Sequence, residues 1–149
     1  MANNTTCIFR VSLKAKLYRE IELDSSGSLA DLAEAIAGAF DFDFDHAFGF
    51  YSKLTGRYHE SPEQYELFAD MEGSDSDAGS VERTKISQAF ATIGKTMLFV
   101  FDYGEEWRFQ VQLTAQGEKM PKTRYPRMTA AMGEAPPQYL TSDEEPLAA

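Results

Sequence analysis

The chain has 149 residues, of which 43% are apolar and 13% aromatic, enough to bury a sizeable core in one domain. Its formal net charge of -10 and pI near 4.6 oppose nonspecific attraction to nucleic acid or an anionic membrane, since phosphate binding works through Lys and Arg displacing counterions. The first six residues lack a basic leader with a long apolar run, and no segment approaches the roughly 20 apolar residues that span a bilayer, so a cytoplasmic protein is expected.

Residues 7–13 and 17–23 alternate apolar and polar side chains, and the short Lys14-Ala15-Lys16 connection predicts a hairpin. Cys7, the only cysteine, shares the apolar face with Phe9, Val11 and Leu13 and reads as a buried structural thiol. A single cysteine also excludes intramolecular disulfides and cysteine-cluster zinc sites. Ser28 is placed to cap a helix in which Leu29, Leu32, Ala33, Ile36, Ala37 and Phe40 share one face, with Asp31 favourable in the first turn. Residues 48–51, Phe-Gly-Phe-Tyr, predict a third strand, and Arg57-Tyr58-His59 a short edge piece. Residues 62–80 mix turn formers with acids and predict a mobile acidic loop at about 69–81, in which Asp75 and Asp77 lack the spacing of an EF-hand. Thr84 or Ser87 would then cap a short second helix, with Ile86, Phe90 and Ile93 on one face and Gly94 at its end.

The apolar run 97–101 is too short for an ordinary helix and suits a strand buried on both faces. Beyond a turn, Trp107, Phe109, Val111 and Leu113 alternate with Arg108, Gln110 and Gln112, the pattern of a half-buried antiparallel partner. Gly104 is expected to take the positive φ of the reversal, crowding Asp102, Glu105 and Glu106 at the hairpin tip. The segment after Ala115 holds five of the six prolines and is expected to wrap over the domain without regular structure, with Tyr139 docked on the core. Together these elements predict an α+β fold: one antiparallel-rich mixed sheet with one main and one short helix on one face, and an opening that is β-grasp-like. Residues 1–140 form the single domain and 141–149 an acidic C-terminal tail. The expected core is Phe9, Val11, Ile21, Leu32, Ile36, Phe40, Phe99, Phe101, Trp107, Phe109 and Val111.

The stretch Asp102-Tyr103-Gly104-Glu105-Glu106-Trp107, following an aromatic strand, resembles the Asp-Phe-Gly-Asp-x-Trp-x-His hallmark of the plasmid pRiA4b ORF-3-like family. Tyr103 stands for Phe, Glu105 for the second Asp, and Phe109 for the usual His. Further landmarks agree in order: Ser28 to Leu32, the segment 40–50 around Asp45-His46, Tyr125-Pro126-Arg127, and the Gly133-Glu134-Ala135-Pro136-Pro137-Gln138-Tyr139 run. The resemblance covers most of the chain, from about the first strand to Tyr139. It implies a protein carried on plasmids and beside insertion elements, sometimes labelled a transposon resolvase, in a family without an established activity. Nothing in this chain resembles a recombinase's serine nucleophile surrounded by arginines.

Three functional readings follow. No nucleophile elbow, Walker loop or dinucleotide glycine pattern is present, which leaves a non-catalytic binding or adaptor domain as the leading one, an accessory protein with a protein partner and no cofactor. Its contact surface would use Tyr103 and Trp107, although Trp107 also falls on the apolar face of its strand. The second is a metal-dependent phosphoester hydrolase built from Asp45, His46, Asp102, Glu105 and Glu106, because a divalent cation needs several convergent oxygens and an imidazole widens the choice to manganese or zinc. The third is a weak nucleic-acid binder that places Lys119, Lys122, Arg124 and Arg127 on phosphates and Tyr125 against a base.

Overall fold

The computed structural model describes residues 5–67 and 79–138. Eight strands form one sheet: β1 (Thr5–Lys14), β2 (Leu17–Asp24), β3 (Phe48–Tyr51), β4 (Gln64–Glu66), β5 (Gly79–Ser80), β6 (Thr96–Phe101), β7 (Trp107–Glu118) and β8 (Arg127–Met132). Their order is β5-β4-β3-β6-β7-β1-β2-β8, antiparallel throughout except for the β4–β5 pair. Helix α1 (Leu29–Ala39) and the single turn α2 (Ile86–Ala89) put Leu32, Ile36 and Ile86 into one core cluster with the inner face of the sheet. The arrangement is the expected α+β type, and no helix among the described residues is long and apolar enough to cross a membrane.

Helix α1 forms because its two ends are satisfied locally. The Asp31 N–H donates to Ser28 Oγ at 3.1 Å and the Ser28 N–H donates back to Asp31 Oδ2 at 2.9 Å, a complete capping box. At the far end the Phe42 N–H reaches the Ala37 carbonyl at 2.8 Å and the Asp41 N–H that of Gly38 at 3.1 Å, with Asp41 in the left-handed region at φ 59°. This is a Schellman ending in which Asp takes the position usually held by Gly. It turns Phe42 inward, onto Trp107 at 4.9 Å between ring centroids.

Ten of the eleven expected core residues are buried to 2% exposure or less, from Phe9 in β1 to Val111 in β7. Trp107 is the exception: it is half-buried at the end of β7, packed at the margin of the core. Cys7 is buried as expected, and burial pushes its thiol pKa up, which keeps it protonated and unreactive.

Several local expectations are corrected. Residues 58–60 form a 3-10 turn instead of an edge strand; the edge is made by Gln64–Glu66 and Gly79–Ser80, inside the segment read as loop. Much of the expected acidic loop, with Asp75 and Asp77, lies outside the described residues, but Val81 at its end is fully buried. Lys85, not Thr84 or Ser87, is the N-cap of α2, and Ile93 is 55% exposed because the helix stops after one turn. Gly104 does not carry the positive φ of the hairpin; Asp102 (φ 65°) and Glu106 (φ 57°) do, one on each side of it. The segment after Ala115 is not an irregular wrap. Strand β7 runs on to Glu118, and β8 pairs antiparallel with β2 because that edge of the opening hairpin would otherwise leave its N–H and C=O groups unpaired. Tyr139 and the tail 141–149 lie outside the described residues.

Candidate functional site

The hairpin tip is organised around Asp102. Its N–H donates to the Ala47 carbonyl at 2.9 Å, and its Oδ1 accepts from the N–H groups of Gly104 at 3.1 Å and Glu105 at 3.3 Å. An Asx turn of this kind compensates the left-handed backbone. The other oxygen, Oδ2, lies 3.4 Å from His46 Nε2, and the same nitrogen is 3.5 Å from Asp45 Oδ1. Three of the five expected metal-site residues, Asp45, His46 and Asp102, are therefore brought together although they lie far apart in sequence.

 The pairing of β3 with β6 causes this, since Phe48 lies opposite Phe101 and the residues flanking each strand meet at one end of the sheet.

Glu105 and Glu106 do not join them. Glu105 is exposed, and Glu106 is drawn to Arg108 Nε at 3.0 Å, with the guanidinium 5.2 Å above the Tyr58 ring. Both carboxylates of the trio meet one imidazole nitrogen, so His46 sits between them and does not aim with them at a common point. Among the described residues no three His, Cys, Asp or Glu side chains are arranged to hold a metal ion. Beside the trio lies a cavity of about 380 Å³ lined by Phe44, Asp45, His46, Phe48, Leu67 and Glu82. The loop above it is held from the C-terminal segment: Gln138 Nε2 donates to the Asp43 carbonyl at 3.1 Å and also lies 3.4 Å from Asp45 Oδ1.

Tyr103 belongs to a cluster on the opposite face of the sheet. Its hydroxyl is 2.8 Å from that of Tyr51, which donates to Glu66 Oε2 at 2.6 Å. Burial above all, with the Glu66 carboxylate, raises both hydroxyl pKa values, so both stay protonated. Gly49 makes room for the pair: a Cβ there would stand 2.7 Å from each hydroxyl oxygen. Trp107 offers little contact surface, and its buried indole Nε1 has no acceptor among the described residues.

Two of the four cations of the basic strip are committed within the chain. Lys119 pairs with Asp24, and Arg127 donates through Nε to the buried Glu22 at 2.9 Å, where Thr6 Oγ1 also donates at 2.6 Å. The Tyr125 hydroxyl accepts from the Met120 N–H at 3.0 Å, while Lys122 and Arg124 are exposed.

A feature that sequence reasoning missed is a groove of about 770 Å³ beside α1. Eight strands at about 4.8 Å spacing span roughly 34 Å, whereas a helix is about 10 Å across. Helix α1 packs on β2, and the lane beside it toward β8 stays open. Ile21, Leu23 and Met128 form its floor, and Ala35, Gly38 and Ala39 of α1 its wall. Asp31, Glu34 and Asp41 stand on the α1 side of the rim, and none of the three is in an ion pair among the described residues. Arg19, buried at one end, donates to the carbonyls of Ala39 at 3.1 Å, Tyr18 at 2.9 Å and Met132 at 3.0 Å, tying the last turn of α1 to β8. A cation at a helix C-terminus is favourable, and α1 has none of its own in that turn.

Comparison with known proteins agrees with this architecture. The model of the family described as plasmid pRiA4b ORF-3-like protein matches residues 7–141. The fold is similar to that of a crystallised protein of unknown function from Methanosarcina mazei Go1, with a TM-score of 0.73 and 19% sequence identity, over 92% of this chain and 74% of that one. No curated protein matches the sequence.

Proposed function

This chain belongs to the plasmid pRiA4b ORF-3-like protein family, and we propose that it serves there as a non-catalytic binding or adaptor domain whose contact site is the groove between α1 and β8. The observation that carries this reading is the groove itself, about 770 Å³ with an apolar floor beside charged residues, a form that can receive the apolar face of a partner segment. The plasmid in the family's description supports an accessory role on mobile DNA, and the lone, buried Cys7 supports a cytoplasmic setting. A protein is the favoured partner; nucleic acid is the weaker one, because Lys119 and Arg127 already pair with carboxylates. The test is crosslinking in cells with the wild-type chain and with Gly38→Phe, which fills the groove where a Cβ meets nothing within 4 Å. A partner captured by the first and lost by the second is expected; partners held equally by both would overturn the reading.

Asp45, His46 and Asp102 lie together beside a cavity, and a second reading, a metal-dependent phosphoester hydrolase, requires them to turn from one another toward a shared ion. Under it, manganese, magnesium or zinc would raise the melting temperature by binding only the native state, and Asp102→Asn would abolish the rise. An unchanged melting temperature with all three ions would remove it.

A further inference from the structure

Resting on the groove reading above, we propose that the occupant is an amphipathic, basic α-helix of a partner protein, laid alongside α1 over β2 and β8. The groove runs alongside α1, between that helix and β8, on the same sheet face. Its wall is made of small residues, Ala35 and Gly38, which let a second helix approach to the 8–10 Å typical of helix packing. Its floor of Ile21, Leu23 and Met128 suits apolar anchors at i, i+3, i+4 and i+7.

Charge selects the sign of the partner. Asp31, Glu34 and Asp41 lie along the α1 rim without a cation of their own among the described residues, so Lys or Arg on the α1 side of the apolar stripe would be met by three carboxylates, while Arg127 on the opposite rim is held by Glu22. The chain's own final residues carry Asp143, Glu144 and Glu145 and would be repelled there. A second copy offers no free helix among the described residues, since α1 and α2 both bury their apolar faces in the core.

The experiment uses the full chain and three labelled 18-residue peptides: one with a leucine stripe flanked by lysines, one with the lysines replaced by glutamates, and one with two prolines breaking the lysine peptide's helix. Fluorescence anisotropy at physiological salt should give saturable binding of the lysine peptide, at least tenfold weaker binding of the other two, and a tenfold loss with Gly38→Phe. Glu34→Lys with Asp41→Lys should weaken the lysine peptide and strengthen the glutamate one. If Gly38→Phe abolishes binding yet the proline peptide binds as well as the helical one, the helical occupant is overturned and the groove reading stands. If the lysine peptide binds and Gly38→Phe leaves it unchanged, the groove reading falls as well. No binding of any peptide, or concentration-dependent self-association lost in Gly38→Phe, would overturn the basic-helix proposal.

Discussion

Gln138 grips the backbone of Asp43 from 95 residues away, accepting from its N–H at 2.6 Å and donating to its carbonyl at 3.1 Å. One side-chain amide thereby reproduces both hydrogen bonds of a strand pair and fastens the C-terminal segment over the loop that carries Asp45 and His46. Replacing it with Ala should cost about 1 kcal/mol and lower the melting temperature by roughly 2–4 °C. Amide chemical shifts of residues 41–46 should move while those of β1 stay fixed; a change spread evenly over the molecule would show that the grip is not local.

Asp102 combines a positive φ with two accepted N–H bonds, and the two requirements separate by substitution. Asn tolerates the left-handed region and keeps an acceptor, whereas Ala does neither. Asp102→Ala should therefore lose about 2 kcal/mol by urea unfolding, and Asp102→Asn less than half as much. Equal losses would assign the stabilisation to the carboxylate's contact with His46 instead of the turn.

Gly49 is held to its size by Tyr51 and Tyr103. Gly49→Ala places a methyl group 2.7 Å from both hydroxyl oxygens at a buried position and should destabilise by about 2–3 kcal/mol. Adding Tyr103→Phe removes one of the colliding atoms and should restore part of the loss. A double mutant less stable than the sum of its parts would contradict that account.

Glu63 gives the pH dependence. Burial pushes its carboxyl pKa up, but hydrogen bonds from Lys95 at 2.8 Å and Tyr65 at 2.6 Å, with the Lys95 charge, outweigh this and hold it below 4.5. A depressed carboxylate adds stability that is fully present above the unfolded value and is lost as pH falls through the folded one. The group is partly exposed, so solvent screening keeps the contribution small. Melting temperature should fall more steeply with acid below about pH 4.5 in the wild type than in Glu63→Gln; identical curves would remove Glu63 from the acid response.

What was readable in the chain follows from what leaves a mark on sequence. Strands β6 and β7 and helix α1 bury a face, so their apolar residues recur at the spacing of 2 or 3.6, and Phe99, Val111 and Ile36 reveal them. Asp45, His46 and Asp102 were legible as a group because each ends or precedes an apolar strand. Strand β8 was not, since all six of its residues are exposed and it is held by backbone pairing that any side chain permits. Strand β5, two residues long, has no periodicity to show. The groove is a consequence of where a helix is missing, and a sequence records only what is present.

The sheet order sets β7 beside β1, with Val11 opposite Val111 and Phe9 opposite Leu113. During synthesis the opening hairpin, complete at Asp24, must wait for Trp107–Glu118 before either of its outer edges finds a neighbour. High contact order of this kind slows folding and leaves strand edges open to other chains meanwhile. A nascent chain stalled before β7 would present an incomplete sheet with both edges of its opening hairpin unpaired.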